Sequence, residues 1–193
     1  MIGAAVARVA QELNLTLRRH TQSTEDLVVV SNLMELDGTA TPLAVDKLAV
    51  FLVNVQREPT AQRGLSRVDR GGDRLALVQP PLHLNLLLMF AANFSGTKYP
   101  EALKLISDTA AFFQGRPMFD HQNTPGLDPD IDRLTLEIEN LTITDLGNLW
   151  GVLGSHYLPS ILYRARMIVI DSQRLEGQPT RVTRPEVEAV AGA

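Results

Sequence analysis

The amino-acid sequence predicts an α+β fold: a mixed, largely antiparallel sheet flanked by about three helices and followed by an extended C-terminal arm. Two long apolar runs, residues 47–55 and 82–92, carry apolar side chains on both faces, which is typical of central strands. Residues 133–141 alternate between apolar and polar side chains, and a strand with one wet face favours antiparallel pairing. The residues predicted to face the core along this strand are Leu134, Leu136 and Ile138.

Three segments have the spacing of amphipathic helices. Residues 2–17 place an apolar side chain every three or four positions and lead into three cationic residues, which suit a helix C-terminus. Residues 99–114 carry a proline at the first helical position and are followed by glycine. The apolar stripe predicted for this second helix consists of Leu103, Ile106, Ala110 and Phe113. A shorter third helix is predicted to begin after an N-cap at Thr144, to bury Trp150 and to end at Gly154.

The remaining elements set the domain boundary. Residues 27–30 and 161–170 predict a first and a last strand, and Met118-Phe119 predicts a short one. Beyond the last strand, proline, glycine and alternating charges leave little apolar surface to bury. We therefore predict one domain over residues 1–170 and an extended arm over residues 171–193 that becomes ordered only against a partner.

Composition and charge exclude several classes of protein. The net charge of -4 and pI of about 5.5 argue against a generally basic nucleic-acid binder. The absence of cysteine excludes disulfides, thiolate catalysis and cysteine-ligated metals, and it fits a reducing compartment. The longest uninterrupted apolar run is far too short to cross a bilayer. We expect a soluble protein that is assembled in the cytoplasm without direct insertion into a membrane.

An acidic loop between the second helix and the alternating strand contains the residues that most resemble a catalytic site. Asp120, His121 and Asp128 offer oxygen and imidazole ligands, which suit a hard or borderline cation, so a metal-dependent hydrolase is one alternative function. Their spacing matches no known metal-binding loop, and Asp or Asn beside Pro and Gly is common in turns. We therefore predict no catalytic residue, no metal ligand and no cofactor.

A second charged segment, residues 57–74, is rich in arginine and glycine and poor in apolar residues. It predicts a mobile loop or a protruding hairpin. Its arginines could contact phosphates, so a nucleic-acid-binding module is another alternative, but the interleaved acidic residues favour a contact with protein. Glu137 and Glu139, which share one face of the alternating strand, are interpreted as a solvated face. These patterns favour a binding or structural role over catalysis.

Three longer stretches carry a resemblance to a known family. They read LHLNLLLMFAANFSGTKYPEALKLIS, FFQGRPMFDHQNTPGLDP and LTLEIENLTITDLGNLWGVLGSHYLPSILYRARMIVID. They resemble the cap or tail-terminator proteins of extracellular contractile injection systems, the phage-tail-like particles typified by the antifeeding prophage and the Photorhabdus virulence cassettes. The resemblance covers most of residues 1–171 and is densest from residue 80 onward. Its most specific motifs are HQNTPGLDP and NLWGVLG-x-x-YLPS.

The resemblance implies a tail-terminator-like fold and a structural cap. Such a cap is expected to form a hexameric ring on the distal end of the inner tube, to stop tube growth and to anchor the last ring of sheath subunits. The implied partners are further copies of this chain, the inner tube protein and the sheath protein. Longer family members continue into a second C-terminal region, which leaves room for a second cap protein.

The candidate contact residues lie in three segments: the arginine-rich segment, the HQNTP loop and the arm. They are Arg63, Arg67, Arg70, Arg74, His121, Gln122, Asn123, Thr124, Pro125, Arg174, Arg181 and Arg184.

Overall fold

The computed structural model describes residues 1–58, 66–69, 75–78, 82–154 and 156–169. Over these residues the helices are α1 (Ile2–Thr21), α2 (Tyr99–Gly115) and α3 (Ile143–Leu153). The strands are β1 (Val28–Val30), β2 (Lys47–Arg57), β3 (Ser66–Asp69), β4 (Leu75–Val78), β5 (Leu82–Asn93), β6 (Met118–Asp120), β7 (Ile131–Ile138) and β8 (Ser160–Val169). Short 3-10 turns at Pro42–Ala44 and Gly96–Lys98 precede β2 and α2.

The main sheet has six strands in the order β1-β2-β5-β8-β7-β6. β1 runs parallel to β2, and every other neighbouring pair in this sheet is antiparallel. The predicted mixed, largely antiparallel sheet is therefore confirmed. The two strands predicted to be central, β2 and β5, pair with each other inside the sheet, as their apolar side chains on both faces require.

The first face of the sheet carries the larger core, under α1 and α2. The alternating residues of β2 and β5 that include Leu48 and Leu86 point to this face and pack with Leu13, Leu17 and Phe113 from the two helices. All five side chains are at most 2% exposed. Burying an aliphatic or aromatic side chain of this size stabilises a fold by about 1.5–3 kcal/mol, so this layer supplies most of the driving force for folding.

The second face carries a smaller core, under α3 and the segment before β2. The other set of alternating residues, including Phe51 and Met89, packs here against Leu33, Ala44 and Trp150. Trp150 is the one buried residue of α3, whose leucines are only partly covered. The helix is therefore a thin cover on this face.

Details of two helices and one strand differ from the sequence-based expectation. Thr142, not Thr144, is the N-cap of α3, because the Thr142 hydroxyl accepts a hydrogen bond from the Asp145 backbone N–H at 3.1 Å. Ile138 is 53% exposed although it lies in register with the core residues of β7, because it is the last residue of that strand. The stripe predicted for α2 is also displaced. The buried residues are Ala102, Leu105, Thr109 and Phe113.

The chain divides into two units. The first, Met1–Ala61 with Leu82–Ile170, holds the six-stranded sheet and the three helices. In the second, Gln62–Pro81 with Asp171–Ala193, the described residues form an antiparallel hairpin of β3 and β4. The predicted arm lies outside the described residues. Within the described ranges, no helix combines the length and the apolar character needed to cross a bilayer.

Tyr163 of β8 sits at the centre of the first core. Its ring centroid lies 5.4 Å from that of Phe90 and 4.8 Å from that of Phe113. The side chain is only 2% exposed, and its buried hydroxyl has no hydrogen-bond partner among the described residues. Burial raises the pKa of Tyr163 to about 12.

Tyr163→Phe is therefore expected to be at least as stable as the parent protein at pH 8, since it removes a buried hydroxyl without a partner. Its advantage should grow above pH 10. The unfolded tyrosine ionises near pH 10 while the folded one stays neutral to about pH 12, so the parent loses stability across that interval. Urea unfolding of both proteins at pH 8, 10 and 11 measures the difference, and a difference that does not change with pH would contradict the assignment.

Candidate functional site

The HQNTP loop follows the edge strand β6 and folds back on it at once. The Asp120 carboxylate oxygen Oδ1 accepts hydrogen bonds from the backbone N–H groups of Gln122 and Asn123, both at 2.9 Å. An aspartate that bonds to the backbone two residues ahead forms a tight turn without help from a regular element. Gly126 has a φ of +87°, a conformation that glycine adopts without strain. The residue types in this loop therefore fit its shape locally.

Arg116, at the end of α2, holds the loop in position. Its guanidinium forms an ion pair with Glu12 of α1 at 2.7 Å and donates to the Thr124 hydroxyl at 2.7 Å. It also donates to the Asn123 carbonyl and lies over the ring of Phe119, 4.8 Å from the centroid. One planar cation thus joins two helices, the edge strand and the loop. Hydrogen bonds to a charged donor are roughly twice as strong as neutral ones.

Arg8 of α1 makes a second attachment to the loop. Its guanidinium pairs with Glu12 at 2.7 Å and donates to the Pro125 carbonyl. Glu12 therefore sits between two arginines, and its side chain is only 14% exposed. Because each arginine also donates to a loop carbonyl, α1 and the end of α2 together fix the position of the loop.

Asp128 fixes the segment that follows the HQNTP loop and leads into β7. Its carboxylate accepts from the Asp130 backbone N–H at 3.0 Å and faces the Met1 amino group at 3.2 Å. These two contacts, the backbone hydrogen bond first, lower the pKa of Asp128 below its usual range. The carboxylate is therefore charged at neutral pH, and its contacts with the Asp130 backbone and the Met1 amino group stabilise the conformation of this segment.

The five candidate residues of this loop divide into two groups. Thr124 is fully buried, and Asn123 is exposed but uses its carboxamide inside the loop. His121, Gln122 and Pro125 are exposed. Within the described residues, the side chains of His121 and Gln122 make no hydrogen bond or ion pair. The loop therefore presents two polar side chains on a rigid, internally bonded base.

A second polar region lies on the second sheet face, where β7 and β8 run side by side. Glu137 pairs with Arg166 at 3.0 Å, and Glu139 pairs with Arg164 at 2.8 Å, across the β7–β8 junction. The two glutamates are thus ion-paired with the neighbouring strand, which corrects the interpretation of a merely solvated face. The Glu137–Arg166 pair borders an open concavity of about 280 Å³, whose lining includes the buried Asn85.

Comparison with known families assigns this fold. The sequence model of the Pvc16 N-terminal domain matches residues 8–184. The chain belongs to this family. No match was found among curated protein sequences.

Two solved structures share the fold of this Pvc16 N-terminal domain. One is described as the PVC sheath/tube terminator of an extracellular contractile injection system in the extended state; it has a TM-score of 0.59 and 16% sequence identity, and the match covers 97% of this chain and 65% of that one. The other is described as the tube terminating cap of the anti-feeding prophage, with a TM-score of 0.53 and 13% identity over 93% of this chain and 58% of that one. The chain spans about three fifths of the length of these two proteins.

The remaining candidate contact residues of the Pvc16 N-terminal domain fall largely outside the described chain. Arg67 lies in β3, where its backbone pairs with Leu77 of β4. The other candidate arginines of the arginine-rich segment and of the arm lie outside the described residues. They are Arg63, Arg70, Arg74, Arg174, Arg181 and Arg184.

The metal alternative gains no support from the geometry of the domain. Asp120 and Asp128 both direct carboxylate oxygens to backbone N–H groups of their own loop. In the part of the chain that the structure describes, no group of three or more His, Asp or Glu side chains is placed to hold a metal ion. A hydrolase built on Asp120, His121 and Asp128 is therefore not favoured.

Sequence reasoning missed the three residues that hold the loop, namely Arg8, Glu12 and Arg116. Arg8 and Glu12 are spaced i, i+4 on α1, which predicts a helical ion pair but not its use by a distant loop. Arg116 lies between glycine and proline, and this local sequence indicates only a loop between two elements. The contact between residues 12 and 116 joins distant parts of the sequence, so neither position alone indicates it.

Proposed function

We propose that this protein is a cap of a contractile injection system, which ends growth of the inner tube and anchors the last ring of sheath. The observation that carries the proposal is membership of the Pvc16 N-terminal domain family over residues 8–184. The fold shared with two terminator structures over more than nine tenths of this chain supports it. The proposed partners are further copies of the chain in a hexameric ring, the inner tube protein and the sheath protein, with room for a second cap protein. Assembly takes place in the cytoplasm, and the cap then remains part of the particle.

The mechanism follows from the geometry of stacking. A tube grows because each ring offers its successor a surface like the one on which it was itself laid down. A terminator binds that surface and presents a different far face, so addition stops. The protein needs no reaction chemistry for this task, only contact surfaces held at fixed positions.

The HQNTP loop is our first choice for such a contact surface. Its exposed His121 and Gln122 side chains are unused within the described residues, while Arg116 and Arg8 hold their backbone in place. A contact formed by a pre-ordered loop loses little conformational entropy on binding, so two side chains can contribute usefully to affinity. The arginines of the arginine-rich segment and of the arm remain further proposed contacts.

Deletion of the gene and complementation in the producing cell test the function. Without the protein, we expect tubes of broadly distributed length, measured by electron microscopy of purified particles. The parent gene should restore a narrow distribution. A deletion strain with particles of unchanged length and sheath stability would refute the proposed cap.

Complementation with His121→Ala/Gln122→Ala then tests the loop separately. The double variant should restore the length distribution only partly while its unfolding curve stays unchanged. The matched control is His20→Ala/Gln114→Ala, which removes the same residue types from exposed positions in α1 and α2. Equal complementation by both double variants would remove the loop from the contact surface without affecting the proposed function.

A further inference from the structure

Among the described strands, β6 lies at one edge of the sheet, and the directions of its backbone N–H and C=O groups can be assigned by alternation. The Leu136 backbone N–H donates to the Pro117 carbonyl at 2.7 Å, and Phe119 lies opposite Leu134. In an antiparallel pair, alternate residues direct their N–H and C=O groups toward the partner strand and away from it. Met118 and Asp120 therefore direct theirs outward, to where a further strand would pair.

The Asn123 side chain occupies the position at which such a further strand would pair. Its Oδ1 accepts from the Asp120 N–H at 3.1 Å, and its Nδ2 donates to the Met118 carbonyl at 3.0 Å. The Thr124 backbone N–H donates to the Asp120 carbonyl at 2.9 Å. Three of the four outward groups of β6 are thus already bonded. A side-chain carboxamide has the same donor and acceptor as a peptide group, so it can replace the backbone of a neighbouring strand.

The carboxamide of Asn123 is itself held in place. The Thr124 hydroxyl donates to Asn123 Oδ1 at 2.6 Å, and Arg116 donates to the Asn123 carbonyl. Thr124 is fully buried, and Arg116 is paired with Glu12. An incoming strand would have to displace Asn123 from this network and break several hydrogen bonds before forming its own.

The opposite margin of the sheet uses a related device. Beyond Val50, no described strand pairs with the outer side of β2. β2 has a bulge between Leu52 and Asn54, and Glu58 donates its backbone N–H inward to His83. By alternation the Val55 N–H points outward, and the side chain of Asn54 accepts its hydrogen bond at 2.8 Å. Bulges and local bonding at an edge both disfavour pairing with another chain.

We infer that Asn123 closes the β6 edge to strand addition by a second copy of this chain. Unpaired edge groups are a ready template for another strand, and at high local concentration the same edge of a neighbouring copy is available as that strand. The inference rests on the bonding of β6 alone and stands whether or not the protein is a cap. At the β6 edge, copies of the chain would then meet through side chains and loops and not through a continuous sheet.

Sedimentation velocity of the full chain over a series of concentrations tests the inference. Asn123→Ala exposes the outward groups of Met118 and Asp120, so it should add a concentration-dependent larger species that is absent from the parent protein. Asn123→Asp keeps the acceptor for Asp120 but loses the donor to Met118, so it should show less of that species. Asn140→Ala, which removes an exposed asparagine side chain that makes no hydrogen bond within the described residues, is the matched control and should behave like the parent.

A second change identifies the edge as the cause. Proline at position 118 removes an outward N–H and blocks strand pairing at an edge. Met118→Pro added to Asn123→Ala should therefore abolish the larger species. Two results would overturn the inference: parent-like sedimentation of both Asn123 variants, or a larger species that persists in the Met118→Pro/Asn123→Ala protein and so arises from the melted loop.

Discussion

Leu105→Ala is expected to lower the free energy of unfolding by about 2–4 kcal/mol, because it leaves a cavity under α2 in the first core. Leu105 is 5% exposed, whereas Leu103, two positions earlier, is 45% exposed. Leu103→Ala should therefore change the free energy of unfolding by less than about 0.5 kcal/mol. Urea unfolding followed by circular dichroism measures both.

This pair of substitutions is matched in residue type, helix and side-chain volume. It distinguishes the stripe seen in the structure from the stripe predicted by the sequence, which contained Leu103 and not Leu105. If Leu103→Ala proved the more costly of the two, α2 would have to be rotated about its axis relative to the structure.

Arg116→Ala is expected to cost about 2 kcal/mol, because it removes an ion pair that is mostly shielded from water together with hydrogen bonds to Thr124 and the Asn123 carbonyl. Glu12 keeps its pair with Arg8, which limits the loss. The measurement is chemical unfolding at neutral pH and low salt.

Arg19→Ala is the control for this substitution. Arg19 lies exposed near the C-terminus of α1 and makes no hydrogen bond or ion pair within the described residues. Its loss should change the free energy of unfolding by about 0.5 kcal/mol or less. If both arginine variants lost the same small amount, the loop would not depend on Arg116.

The fold could be predicted where local pattern and burial agree. In α1, every apolar position at helical spacing faces the core, so the sequence alone places its buried face. In α2, the buried line passes through Thr109, whose polarity hides the pattern. The Thr109 hydroxyl bonds to the Leu105 carbonyl at 2.7 Å, which lets it be fully buried without an external partner. The predicted stripe of α2 differs from the buried one because a threonine whose hydroxyl is hydrogen-bonded within its own helix cannot be distinguished from a surface residue by sequence.

The candidate site could be predicted only in part. The Asp, Asn, Pro and Gly residues of the HQNTP loop indicate a turn, and that prediction is confirmed by the bonds of Asp120. Their second task, closing the sheet edge, requires β6 to be the last strand, and strand order is set by tertiary packing. The cap at Thr142 shows the same limit on a smaller scale. Thr142 and Thr144 both lie near the start of the helix, and only the path of the chain places Thr142 at the cap and Thr144 inside the first turn.

The place of β8 in the sheet has a consequence for how the chain folds. β8 lies between β5 and β7 and pairs residues as far apart in sequence as Leu82 and Val169. The earlier strands can form two partial sheets, β1-β2-β5 and β6-β7, but these join only when the last of the described strands is inserted between them. Such distant pairing predicts slow folding, since a long loop must close before its contacts stabilise it. During synthesis, β5 and β7 each wait with an unpaired side, so the nascent chain is most exposed to misassembly just before β8 is complete.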